Sequence, residues 1–138
     1  MKKVVGTLFF KDGKLLIDKP SKRPKHQMVG GSVEENETVY EAAVRECREE
    51  LGPKAIFDPE KIEFIMDFTE TATNDPNLLI HMHLFKYNGE LEGELTTSEE
   101  ISSFMWFGVG DDTSILSNSL NHYVIPYCLE NHLIYEEK

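Results

Sequence analysis

Cysteine is scarce in this chain. Cys47 and Cys128 are the only two among 138 residues, neither spaced as a metal clip nor numerous enough for a disulfide framework. Long apolar runs are missing too, so no stretch can serve as a membrane-spanning helix. The run after Met1-Lys2-Lys3 meets Lys11-Asp12 without the small-residue cleavage site of a secretory leader, and a cytoplasmic protein is expected. Positive charge is in short supply: 14 Lys and Arg stand against 25 Asp and Glu, for a net −11. That balance argues against nucleic acid as a partner, because duplex affinity rests on basic side chains neutralising phosphates. Internal repeats and low-complexity tracts are absent. What remains is an ordinary globular composition, 40% apolar and 28% charged, long enough to bury a core as one domain over residues 1–138 without staples.

The net charge hides an asymmetry. Residues 1–28 carry Lys2, Lys3, Lys11, Lys14, Lys19, Lys22, Arg23 and Lys25 against Asp12 and Asp18, which leaves the remainder strongly acidic. Seven glutamates lie between Glu34 and Glu50 alone. Such a density repels itself unless it is a solvated face or cations sit among the carboxylates.

Residues 3–10 are β-branched and aromatic, and Leu15-Leu16-Ile17 resumes after Asp12-Gly13, a hairpin signature. Residues 20–24 read as a basic loop. Beyond Gly30-Gly31-Ser32 the period changes to 3.6: Tyr40, Val44, Cys47 and Leu51 form a stripe expected to face the core, ended by Gly52-Pro53. Residues 61–71 and 78–87 read as two long strands, with a further strand near Met105-Trp106-Phe107. The segment from about 120 to 135 reads as a helix in which Pro126 is tolerable only near the start. The pattern predicts a mixed sheet covered by helices on its faces.

Within the central helix, Glu46, Glu49 and Glu50 project onto one sector about 100° wide. Val39, Ala42 and Ala43 share that sector one turn earlier, and the two alanines leave room for close approach by a loop or ligand. Three carboxylates at a helix C-terminus are disfavoured by mutual repulsion and by the dipole. A hard divalent cation such as Mg²⁺ or Mn²⁺ relieves both.

Residues 31–52, GSVEENETVYEAAVRECREELG, carry Gly31, Glu37, Arg45, Glu46, Glu49, Glu50 and Gly52 at the fixed positions of the Nudix box. Seven such matches at a given register arise by chance roughly once in 10⁸ to 10⁹. The chain therefore resembles a Nudix hydrolase of the MutT-like kind. Cys47 and Pro53 replace apolar positions of the box, and His26-Gln27-Met28-Val29 stands where the family often has Trp and Pro before the two glycines.

The resemblance implies an α/β/α sandwich, a mixed sheet with the box as loop-helix-loop. It implies Mg²⁺, or alternatively Mn²⁺, held by Glu46, Glu49, Glu50 and the Gly30 carbonyl, with these glutamates catalytic and Glu46 the preferred base. By the same resemblance Gly31, Glu37, Arg45 and Gly52 are structural, with Arg45 paired to Glu37. The helix spacing alone offers Glu41 as a partner of Arg45 instead. Lys19, Arg23 and Lys25 are the candidates for substrate phosphate, Lys19 standing where the family commonly has a phosphate-contacting Arg. Glu94, Glu99 and Glu100 are possible extra ligands or bases from a loop. His26 is expected to be an ordinary loop residue, His81 and His83 an exposed strand face, and Trp106 and Phe107 core. The implied reaction is metal-dependent hydrolysis of a nucleoside diphosphate linked to another group, with a nucleoside triphosphate as the expected substrate and a monomer or homodimer as the expected state. The competing readings are a nucleotide-sensing module without catalysis and a hydrolase of nucleotide sugars or RNA 5′ ends.

Overall fold

Phe9 interrupts the first extended segment and sends its two halves into different sheets. In the computed structural model, which describes residues 1–137, β1 (Lys2–Leu8) lies inside a four-stranded sheet. Its neighbours are β4 (Val29–Ser32), antiparallel, and β7 (Asp75–Tyr87), parallel, and β6 (Ile62–Ala72) pairs antiparallel with β7. Past Phe9, β2 (Phe10–Lys11) turns into β3 (Lys14–Pro20), and β3 pairs with β9 (Ile101–Phe107). The hairpin expected at Asp12-Gly13 is present, with φ of 53° and 76°, the paired positive values that bring two strands back with matching twist. Two short strands, β5 (Ala55–Ile56) and β8 (Glu92–Gly93), tie the loop after the central helix to the acidic loop before β9. The expected mixed sheet is thus joined by a second, antiparallel one.

Side chains alternate along β7 and feed two cores on opposite faces. Met82 and Leu84, with Leu8, Leu15 and Ile17, pack against Leu120, Val124 and Cys128 of the C-terminal segment. Phe85 and Tyr87, with Val5, Phe9 and Leu16, pack against Ala42, Ala43, Cys47 and Leu51 of α1 (Val39–Leu51). This is the expected α/β/α layering.

Helix α1 begins at a capping box. The Glu41 N–H donates to Thr38 Oγ1 at 3.0 Å and the Thr38 N–H to Glu41 Oε1 at 2.9 Å, which satisfies two orphan donors of the first turn. It ends at Gly52, whose φ of 92° suits a residue without Cβ. The helix is rotated from the expected stripe: Tyr40 is exposed, and Ala42 and Ala43 are fully buried. The alanines are core rather than open space, because their small side chains let the helix axis approach β1 and β4 closely.

The C-terminal helix is shorter than expected. A wide π turn over Leu120–Val124 precedes α2 (Ile125–Glu130), so Pro126, lacking an N–H, occupies the first turn of regular helix. His132, at φ 55°, reverses the chain. Ile134 then folds into the core, and the Tyr135 N–H donates to the Gly13 carbonyl at 3.0 Å.

Leu51 is fully buried where α1 meets the sheet. Leu51→Ala is expected to cost about 2 to 5 kcal/mol, read as a lower midpoint in urea at unchanged slope. A loss below about 1 kcal/mol would show that this contact does not anchor the helix.

Candidate active site

The site is built where the last two turns of α1 pass over the two glycines of β4. A Cβ at Gly30 would lie 2.0 Å from the Val5 carbonyl oxygen, and one at Gly31 would lie 2.5 Å from the Glu46 carboxyl. Gly30 accepts no side chain, and one at Gly31 would displace the Glu46 carboxyl. Glu50 is buried beside them and accepts the Gly30 N–H at 2.6 Å.

Arg45 organises the other carboxylates. Its Nε donates to Glu37 at 2.7 Å and one terminal nitrogen to the same carboxylate at 3.0 Å, a bidentate pair. That terminal nitrogen also donates to the Ser32 carbonyl at 2.9 Å, and the other donates to Glu46 at 2.8 Å and Glu49 at 3.3 Å. Glu37 further accepts the Glu34 N–H at 2.9 Å. The hydrogen bonds from Arg45, then that from the backbone, hold the Glu37 carboxyl down to about 2. Glu41, the partner that helix spacing offered, is engaged in the capping box instead.

Asp18 was not among the residues singled out in the sequence, yet it belongs to this cluster. It is fully buried, and neither carboxylate oxygen has a hydrogen-bond partner. Burial, then the neighbouring charge of Glu46, raises its proton affinity; burial, then Asp18, does the same to Glu50. The two cannot both stay ionised without a cation. Burial also raises Glu46, opposed by the Arg45 hydrogen bond. The signal in the sequence is the run Leu15-Leu16-Ile17-Asp18: a strand apolar on both faces is buried on both, and Asp18 continues the face of Leu16.

Glu46 and Glu50 look onto a cleft of about 330 Å³, in the size range of small-ligand sites. Gly30 and Gly31 share their wall, Arg23 and Lys25 line it from the basic loop, and Glu100 lines it from the start of β9. Val4, Met28, Ile80 and Met82 give it an apolar floor. Glu49 and Lys19 are not among the lining residues. Glu49 is turned to Arg45 at the rim, and the Lys19 amine donates to the Pro20 carbonyl at 3.4 Å. The Lys25 amine is held by the Ser114 carbonyl. Among the described residues the Arg23 side chain has no ion pair or hydrogen bond within the protein.

Among the described residues, no three His, Cys, Asp or Glu side chains are arranged to hold a metal ion as they stand, and Arg45 engages Glu46 and Glu49. The donor chemistry nevertheless fits a hard divalent cation: carboxylate oxygens, two of them buried without partners. Glu94 lies 4.0 Å from Lys54, outside the cleft. The His26 N–H donates to the Ile115 carbonyl, away from the cleft lining. His81 is paired with Asp67 at 2.6 Å and lies tilted against His83, so that strand face is half-covered rather than open. Phe107 belongs to the core beside α2, and Trp106 packs, half-buried, against the core beneath α1, as expected.

The family model for the NUDIX domain matches residues 2–119. The chain belongs to the Nudix family. Similar solved structures include a MutT NUDIX hydrolase from Burkholderia pseudomallei (19% identity, 87% of this chain and 92% of that one, TM-score 0.72). A MutT protein from Methanosarcina mazei Go1 is 18% identical over 94% of both chains, with a TM-score of 0.73. A third is a bifunctional NMN adenylyltransferase/ADP ribose pyrophosphatase from Francisella tularensis, complexed with AMP and a Mn ion. It is 18% identical over 95% of this chain and 42% of that one, at TM-score 0.64. No curated protein matches the chain. Nudix proteins of this kind are hydrolases of phosphorus-containing anhydrides that generally use divalent metals, and among the described residues no helix is long and apolar enough to cross a membrane.

Arg45→Ala should lower stability by about 2 kcal/mol, the scale of lost charged hydrogen bonds, and the melting temperature by several degrees. A variant that melts like the parent would show that the network does not hold the helix to its preceding loop. The buried pair sets a pH dependence. A carboxyl with raised proton affinity in the folded chain takes up protons on folding, so stability falls as pH rises. In chelator, the melting temperature should drop between about pH 5 and pH 8, and Asp18→Asn should flatten that drop and melt higher than the parent at the alkaline end. A profile unchanged by the substitution would show that Asp18 does not oppose Glu50.

Proposed function

We propose that the protein is a divalent-metal-dependent pyrophosphohydrolase of a nucleoside diphosphate linked to another group, with a nucleoside triphosphate as its substrate. The observation that carries this is the shared cleft, lined by Glu46 and Glu50 of α1 together with Arg23 and Lys25 of the basic loop. A diphosphate needs both, cations against its oxygens and carboxylates to hold the metal that accompanies it.

Glu46, Glu50 and the Gly30 carbonyl would hold Mg²⁺ or Mn²⁺, with Glu49 joining from the rim. Such an ion would supply charge neutralisation at the phosphates and a more nucleophilic water. Glu46 takes the proton of the attacking water, the one cleft-lining glutamate of α1 that is half-buried rather than sealed away. Arg23 binds phosphate with an unengaged guanidinium, and Lys25 does so on leaving Ser114. Glu37 and Arg45 keep the helix in place, and Gly31 and Gly52 permit its close seating and its end. The apolar floor accommodates the nucleoside.

The test is release of phosphate or pyrophosphate from nucleoside triphosphates, nucleotide sugars, dinucleotides and capped RNA, with Mg²⁺ or Mn²⁺ and with chelator. Turnover of a triphosphate that vanishes in chelator is expected. Glu50→Gln should lower kcat by about 10² or more at nearly unchanged melting temperature. Arg23→Ala should lower kcat/KM by roughly tenfold to a hundredfold, the worth of one charged hydrogen bond, and Lys19→Ala much less. Tight metal-dependent binding with no turnover of any compound would make the protein a sensor, and activity persisting in chelator would remove the metal from the mechanism.

A further inference from the structure

The Nudix box does not account for Asp18. It lies on β3, outside the box, and its backbone is fully used: its N–H donates to the Gln27 carbonyl at 2.8 Å and its carbonyl accepts the Gln27 N–H at 2.9 Å. Its side chain is fully buried on the strand face that packs under α1, with both oxygens unpartnered. A buried carboxylate without a donor is among the costlier arrangements a fold can carry. Here it is placed against two more carboxylates, Glu46 and Glu50, rather than near a Lys or Arg. Arg45 is already shared among Glu37, Glu46 and Glu49, and Gly30 donates to Glu50. The one protein group within hydrogen-bonding reach is Glu50, itself a buried carboxyl with which Asp18 can only share a proton, so a cation entering from the cleft would relieve both.

We propose that Asp18 is a further carboxylate ligand of the divalent-cation site, closing its buried end together with Glu46 and Glu50. This rests on the reading of those glutamates as cation ligands. Oxygen-only sets of this kind suit Mg²⁺ and Mn²⁺. An aspartate contributed by the sheet also fixes the ion relative to the strands, whereas the glutamates fix it relative to the helix.

The experiment is direct Mn²⁺ binding, by calorimetry and by the loss of the free Mn²⁺ electron paramagnetic resonance signal, for the full chain and for Asp18→Asn and Glu50→Gln without nucleotide. Asp18→Asn keeps the shape of the side chain and can still donate an N–H to Glu50. It should nonetheless weaken Mn²⁺ by at least about tenfold, the scale on which loss of even an outer partner is felt. An unchanged dissociation constant in a folded Asp18→Asn, with Glu50→Gln weakened, overturns the proposal and leaves the metal site itself standing; Asp18 then only orients Glu50. Failure of the parent to bind Mn²⁺ overturns the metal-site reading as well. If Asp18→Asn does not fold, Asp18→Cys titrated with Cd²⁺ decides the matter. A sulfur-to-cadmium ultraviolet band absent from the parent, whose two cysteines are buried, supports ligation, and no such band in the folded variant counts against it.

Discussion

The close approach of α1 to β4 is the constraint from which the rest of the site follows. The Gly30 N–H reaches Glu50 at 2.6 Å and a Cβ at Gly31 would meet the Glu46 carboxyl, whereas one at Gly30 would meet the Val5 carbonyl, so Gly30 sets the seating of β4 on β1 beneath the helix. Ala42 and Ala43 extend the same contact one turn back, and the Thr38 capping box sets where the helix begins. A larger residue at Ala42 or Ala43 would lift the helix and with it every carboxylate of the cleft wall, one at Gly31 would displace the Glu46 carboxyl, and one at Gly30 would part β4 from β1.

Packing so many carboxylates against a sheet is locally unfavourable, and the fold offsets it only in part. Arg45 spans the outer half of the cluster, joining Glu37 and the Ser32 carbonyl to Glu46 and Glu49. The inner half, Asp18 and Glu50, has one backbone N–H and no basic side chain. Such departures from good local design concentrate where a site is kept ready for a ligand. The imbalance has a direction: positive charge is supplied by the protein at the structural end of the helix and left out at the end facing the cleft.

Much of this was legible in the sequence because charge at fixed spacing survives any error in orientation. The helix, its end at Gly52, the Asp12-Gly13 hairpin and the Arg45–Glu37 pair expected from the family resemblance all occur. The rotation of α1 was not legible, because periodicity ranks Tyr40 and Val44 by apolarity, whereas the real contact surface selects the small Ala42 and Ala43 for their size. Asp18 was passed over for the opposite reason. A single acidic residue at a strand end looks like a polar boundary, and only the two-sided burial of Leu15, Leu16 and Ile17 marks it as interior. The grouping of Arg23 and Lys25 without Lys19 depended on how the loop leaves β3, which composition does not encode.

The charge distribution leads one step further. At physiological ionic strength the screening length is about 8 Å, so a ligand in the cleft feels its lining more than the net −11 of the chain. The lining sets Arg23, Lys25 and Lys2 against Glu46, Glu50 and Glu100, close to balance, with the buried Asp18 behind. A bare polyphosphate meets carboxylates there with too few cations to offset them. A polyphosphate carrying a divalent ion presents positive charge to Glu46 and Glu50 and residual negative charge to Arg23 and Lys25. The lining itself, rather than the acidic excess of the chain, therefore favours the metal-bound form of such a ligand.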